Sequence, residues 1–333
     1  MEKVAQKFAT GMILGKFMPP HRGHQLLIDF ARDRVAELTI LVCSLEREPI
    51  PGRLRYEWMK EMYPDVRIIH VTDENPSEPD EHPRFWEIWT ETIRRRLPAG
   101  PDVVFTSEAY GDELARRLGA RHIAVDPLRH QVPVSASEIR ARPYANWAFI
   151  PECVRPYFAR RVAIVGPEST GKTTLARRLA AHYQTVWVAE FAREYLDAKN
   201  AERPLADITP ADIAAIARGQ IASEEKRARQ ANQLLICDTE LLTTRLWSEH
   251  FFGDCEDWIC RAASERRYDL YLLTDVDVAW VADPHRDAPH LRERFLNHLR
   301  RELQLSERRF VLISGSFDER LRRAIAAIDS LIE

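Results

Sequence analysis

The sequence predicts an α/β protein of two domains, each built on a parallel sheet. Three observations predict it. Short apolar, β-branched runs alternate with helical stretches along the chain, the order that builds parallel sheets with helices on both faces. The alternation stops once, across R-P-Y-A-N-W-A-F-I-P-E-C-V-R-P-Y-F at 142–158 with its three prolines, and restarts at Arg161. A chain of 333 residues also suits two cores better than one. The expected domains are 1–158 and 159–333.

In the first half, M-I-L within Gly11–Gly15 reads as a strand, followed by a loop and a helix from about His24 to Ala36. L-T-I-L-V-C-S at 38–44 is a second strand by its β-branched content. Helix 53–63, strand 66–71, a polar Pro-rich loop at 73–84, helix 85–97 and strands at 103–107 and 123–125 complete the half. In the second, strands are expected at 161–165, 186–189, 234–237, 270–273 and 310–313, with helices at 172–182 and 210–231. No short-period repeat or low-complexity tract interrupts them.

Composition narrows the class. Apolar residues make up 45% and charged residues 30% of the chain, as in ordinary globular proteins. The net charge of -3 argues against a generic nucleic-acid binder. Cysteines at 43, 153, 237, 255 and 260 form no C-x-x-C pair. Reduced thiols and a cytoplasmic location are expected, with no zinc site. The N-terminal segment is no signal peptide, and no window reaches the ~18 apolar residues of a membrane span. Oligomeric state stays open, a homo-oligomer included.

Residues 166–173, G-P-E-S-T-G-K-T, fit G-x-x-x-x-G-K-[ST] between a strand and a helix. Such a loop turns its N–H groups inward around phosphates. Gly166, Glu168, Ser169, Thr170, Gly171, Lys172, Thr173 and Thr174 are therefore the candidate ATP cradle. Lys172 should reach the β/γ-phosphates, and Thr173 should place its hydroxyl on Mg²⁺. Asp238, closing strand 234–237, is either the second metal-side group or a helix cap. Glu190 and Arg193 share a helical face at the sheet edge where an acceptor would sit. Arg286 could act as a lid arginine and Asp283 could hold substrate hydroxyls. Ser314 would lie where such kinases hold adenine. This half resembles a small-molecule P-loop kinase. The N-K-x-D of a GTPase is absent.

A different device opens the chain. G-K-F-M-P-P-H-R-G-H at 15–24 resembles the G-x-F-x-P-x-H-x-G-H pattern of the nucleotidyltransferase superfamily, a Rossmann-like fold. The resemblance implies ATP on Gly15, Lys16, Phe17, His21 and His24, with the histidines stabilising the transferred adenylyl group. V-S-A-S-E-I-R at 134–140 is similar to the family's second motif, implying that Ser135, Ser137 and Arg140 hold the departing pyrophosphate. The similarity also implies nicotinamide mononucleotide on Trp89 and Arg53, with Trp89 either stacking on the nicotinamide or packing in the core.

The two motifs followed by P-E-S-T-G-K-T-T resemble, from about residue 11 onward, the NadR-type bifunctional nicotinamide-mononucleotide adenylyltransferase and ribosylnicotinamide kinase family. That resemblance implies kinase action on nicotinamide riboside, adenylyl transfer to nicotinamide mononucleotide (NMN), NAD as product, ATP as co-substrate in both steps, and Mg²⁺. Asp238 and Glu190 are the two candidates for the kinase base. The adenylyltransferase strand starts near residue 12, so a preceding helix-turn-helix, and with it DNA binding, is not expected. The alternatives are transfer to another nucleoside or phosphate, or a nucleotide-sensing regulator.

Overall fold

The computed structural model describes residues 7–202, 208–281 and 291–332. The chain divides into two compact units, Met1–Val154 and Arg155–Glu333. The division falls a few residues before the expected one because a short helix, Arg155–Phe158, packs on a helix of the second unit.

The first unit runs β1 (Phe8–Gly15), α1 (Arg22–Arg32), β2 (Val35–Cys43), α2 (Gly52–Met62), β3 (Arg67–Val71), α3 (Phe85–Arg96), β4 (Val103–Thr106), α4 (Gly111–Leu118), β5 (Arg121–Ala124) and α5 (Ala136–Ala141). Its parallel sheet has the order β3-β2-β1-β4-β5. Strands buried on both faces need unbroken apolar runs, and I-L-V in β2 and V-V-F in β4 supply them. One face packs Ile13, Ile40 and Phe105 on Leu27, Ile28, Met59 and Tyr63 of α1, α2 and the residue after it. The other packs Met12, Leu41 and Val104 on Ile93, Leu114 and Ala115. Burying each large aliphatic side chain is worth roughly 1.5–3 kcal/mol.

α6 is the Arg155–Phe158 helix. The second unit continues with β6 (Arg160–Val165), α7 (Lys172–His182), β7 (Trp187–Val188), α8 (Phe191–Glu202), α9 (Pro210–Ala228), β8 (Leu234–Asp238), α10 (Leu241–Phe252), α11 (Asp257–Glu265), β9 (Leu270–Thr274), α12 (Arg292–Leu305), β10 (Phe310–Ile313) and α13 (Phe317–Ile332). Its parallel sheet has the order β10-β9-β6-β8-β7. α7 and α13 cover one face through Leu175, Leu179, Ala324 and Ile328. α9 starts at a capping box, Thr209 with Asp212, and a proline in its first turn. It ends before the expected residue 231, because Asn232 already bridges to Leu234.

In both sheets the strand order reverses beside the first strand of the unit. There the carboxyl ends of neighbouring strands diverge and leave a crevice. The two glycine-bearing motifs follow β1 and β6, so each is delivered to such a crevice.

Candidate active site

In the first unit a cavity of about 620 Å³ opens at the carboxyl ends of β1 and β4. Gly15, Lys16, Phe17, His21, His24, Trp89, Ser135, Ser137 and Arg140 all line it, so the fold brings the two separate motifs together. His21 caps α1, its Nδ1 accepting from the Gly23 amide at 3.0 Å. A Cβ on Gly23 would stand 2.9 Å from His21 Cε1, so a side chain there would push the imidazole out of its place. The His21 and His24 rings lie 3.8 Å apart, centre to centre. Burial, then the Arg129 charge, lowers His21 to about 4. Burial, then His21, holds His24 well below its ordinary value. His24 Nδ1 is buried and has no hydrogen-bond partner among the described residues. Two imidazoles held neutral thus line the cavity, and because His21 Nδ1 accepts from Gly23 its neutral ring carries the proton on Nε2, a donor for an incoming polyanion.

Arg140 stitches the motifs together. It donates to the Met18 carbonyl of the first motif and to Ser137 Oγ of its own, the latter at 3.2 Å. Ser135 caps α5 in a capping box with Glu138, so its hydroxyl already serves the helix. Lys16 pairs with Glu48 at 3.1 Å and reaches Ser77 at 3.0 Å. Trp89 meets the core-packing expectation. It packs against the core and also lines the cavity, donating from Nε1 to the Pro76 carbonyl at 2.9 Å.

Arg53 requires a correction. It is exposed, pairs with Glu57 at 2.8 Å, and does not line the cavity. Two positions along a helix turn a side chain by about 200°, and the inward arginine is Arg55. Fully buried, Arg55 donates to the Lys16 carbonyl (2.6 Å), the Cys43 carbonyl (3.2 Å) and Glu48 (2.6 Å). Burial alone would raise the Glu48 carboxyl, but the Leu45 amide and Arg55 hold it below its ordinary range. Arg55 therefore anchors the backbone of the histidine loop. The helical phase of R-L-R was the signal that could have found it.

In the second unit the phosphate loop occupies the turn from β6 into α7. Gly166 has φ +153° and Gly171 φ +79°, both costly for a side chain. A Cβ on Gly166 would also meet Thr274 Oγ1 at 2.1 Å. Lys172 Nζ rests on the Pro167 carbonyl at 2.9 Å. Thr170 is a refinement of the expectation. Its hydroxyl is buried against Pro167 O and Thr274 Oγ1, both at 2.7 Å, which leaves its backbone amide for a phosphate. Ser169 Oγ accepts from the Val281 amide at 2.8 Å, and Thr174 is exposed in the first turn of α7. Ser314 accepts from Arg323 at 2.7 Å. Glu168 borders the loop, half-buried.

Thr173 Oγ1 donates to Asp238 Oδ2 at 2.5 Å, while the buried Asp238 Oδ1 has no hydrogen-bond partner among the described residues. Burial, then the charge of Glu190, raises Asp238 to about 6, with Lys172 and Arg193 opposing. An orphaned buried carboxylate oxygen beside a hydroxyl is a donor set that fits a hard divalent cation completed by water and phosphate oxygens. Glu190 stands in the two-residue link between β7 and α8, immediately before that helix, and Arg193 lies in its first turn. Asp283 and Arg286 lie outside the described residues.

Sequence reading missed Arg320. Buried in α13, it donates to Gly315 O (2.9 Å), Thr170 O (2.8 Å) and Asp275 O (3.1 Å) and pairs with Asp277. It ties the phosphate loop to the ends of β9 and β10. An arginine in an amphipathic helix reads as solvated until the fold is known.

A nucleotidyltransferase-like crevice in one unit and a P-loop cradle in the other define the class: a two-unit, nucleotide-binding α/β transferase. Residues 161–320 match a family model described as an AAA domain. The chain is 30% identical over its whole length to the trifunctional NAD biosynthesis/regulator protein NadR of Escherichia coli (strain K12), covering 85% of that protein. It is 29% identical over 97% of its length to the same-named protein of Salmonella typhimurium, covering 83% of that one. It belongs to the NadR family. Two crystal structures, NadR in complex with NR and NadR in complex with NAD and AMP-PNP, share its fold with a TM-score of 0.79 at 23% identity. Each comparison covers 98% of this chain, and 97% and 98% of the respective structures.

Proposed function

We propose that the protein makes NAD in two ATP-dependent steps. The unit Arg155–Glu333 phosphorylates nicotinamide riboside to NMN, and the unit Met1–Val154 joins NMN to the adenylyl group of a second ATP. The observation that carries this reading is the presence of two complete phosphate cradles in one chain related along its length to NAD biosynthesis proteins. That solved NadR structures hold NR, or NAD with AMP-PNP, supports the choice of ligands.

In the kinase step the 5′-hydroxyl of the riboside attacks the γ-phosphorus and ADP leaves. Lys172 leaves the Pro167 carbonyl for the β/γ-phosphates. Thr173 and Asp238 would hold Mg²⁺, which neutralises charge on the phosphates. With Asp238 engaged by Thr173, we assign Glu190 as the base that accepts the hydroxyl proton, and Arg193 as its neighbour on the riboside side. Asp283 and Arg286 keep their expected roles here as proposals.

In the adenylyl step an oxygen of the NMN phosphate attacks the α-phosphorus and pyrophosphate leaves. The attacking group is already an anion, so no base is required. His21 and His24 bind and stabilise the crowded α-phosphate, while Lys16, Ser137 and Arg140 hold the departing pyrophosphate. Trp89 presents a ring edge or face to the nicotinamide. We expect no DNA partner for a chain of net charge -3. Five free thiols, four of them buried, fit the reducing cytoplasm. No helix among the described residues is long and apolar enough to cross a membrane.

The test supplies ATP and Mg²⁺ with either nicotinamide riboside or NMN and separates the products by chromatography. NAD from both is the expected result. NAD from NMN alone would overturn the kinase assignment, NAD from neither would overturn the adenylyltransferase assignment, and riboside that yields no NMN as well would overturn both.

A further inference from the structure

The phosphate loop of the second unit sets a direction for the nucleotide it holds. Thr173 and Asp238 meet on the β8 side of β6, and Glu190 lies in the link that follows β7, the strand beyond β8. The metal-facing end of a triphosphate and its acceptor belong on that side. The nucleoside end must then leave towards β9 and β10. There the chain after β10 reads S-G-S-F, and Phe317 opens α13.

Phe317 is 48% exposed, a large apolar ring left in contact with water. One edge of it lies over the start of α7. A Cβ on Gly171 would stand 2.9 Å from Phe317 Cε1 and 3.6 Å from Cζ. Its backbone is tied to the same helix, because Arg178 of α7 donates to the Phe317 carbonyl at 3.2 Å and pairs with Asp318 at 2.7 Å. On the other side Arg320 joins Gly315 O to Thr170 O of the phosphate loop. The ring is thus held at a fixed offset from the phosphate cradle with much of its surface open.

We infer that Phe317 is the platform on which the purine base of the nucleoside triphosphate stacks in the second unit. A base offers a flat π-face of the kind an exposed ring accepts without reading its edges. Gly171 then has two tasks: its backbone takes φ +79°, and its missing side chain leaves room for the ring. The inference takes the phosphate donor from the kinase reading above and does not depend on the acceptor.

The test uses the full chain and compares ATP with inorganic tripolyphosphate by calorimetry, keeping only the binding that Lys172→Ala removes. Phe317→Leu keeps apolar bulk beside Gly171 but loses the ring face. It should raise the Kd for ATP about tenfold, or about 1.4 kcal/mol, and leave tripolyphosphate unchanged. Phe317→Trp should retain ATP affinity, and its added emission should respond to ATP but not to tripolyphosphate. Unchanged ATP binding in Phe317→Leu, or equal weakening of ATP and tripolyphosphate, would overturn the inference, the second outcome showing a ring that only braces the loop. Normal ATP binding without phosphorylation of nicotinamide riboside would instead overturn the functional reading and leave this one standing.

Discussion

At the scale of single residues, buried charge and its absence decide most of the behaviour. His21 is kept neutral by burial, with its proton lost down to about pH 4 in the fold against roughly 6.5 in the unfolded chain. The unfolded chain therefore binds the extra proton between these values. Stability of the first unit should be level above about pH 6.5 and fall as pH drops towards 4, by on the order of 3 kcal/mol from this group. His21→Asn retains a good helix cap and should lessen that slope in unfolding curves taken across the range, leaving the part of the same sign that the buried His24 contributes. Arg55 gives a second prediction. Lysine has no fork to serve the Lys16 carbonyl, the Cys43 carbonyl and Glu48 together. Arg55→Lys should slow NAD formation from NMN by roughly tenfold or more while leaving ADP release with nicotinamide riboside unchanged. Equal loss of both activities would point to general unfolding instead.

At the scale of elements, the strands and the helices α1, α2, α3, α7 and α9 were legible because apolar periodicity is local. The parallel sheets followed from the β–α alternation, and each glycine-bearing loop follows a strand, as expected. The short α4 was missed, since eight residues, G-D-E-L-A-R-R-L, give too little periodicity. The positioning arginines were illegible for a different reason. Arg55 and Arg320 read as solvated charges until the fold supplies distant carbonyls for them. The same holds for Glu224 of α9, which is fully buried and accepts from Tyr268 at 2.8 Å, Arg161 at 3.3 Å and Arg266 at 3.2 Å. It binds α9 to the starts of β6 and β9. Removing one partner from such a group leaves uncompensated charge. Glu224→Ala should cost about 3–5 kcal/mol and lower the unfolding midpoint of the second unit. A change under about 1 kcal/mol would mean the network is solvated in solution.

At the scale of the whole molecule, two compact units each carry a phosphate-binding loop where their strand order reverses. Each unit completes its own cradle: residues from 15 to 140 build the first, and residues from 166 to 320 build the second. On the proposed reading these are two independent sites acting in sequence on one substrate. It is tested most directly by giving the His24→Ala and Lys172→Ala proteins ATP, Mg²⁺ and either nicotinamide riboside or NMN, and following every nucleotide by chromatography. His24→Ala should convert riboside to NMN and stop there, with NAD formation down by roughly a hundredfold or more. Lys172→Ala should make NAD from NMN but none from riboside, and mixing the two proteins should restore NAD from riboside. Loss of both steps from either single substitution in a folded protein, or a mixture that cannot make NAD from riboside, would contradict it.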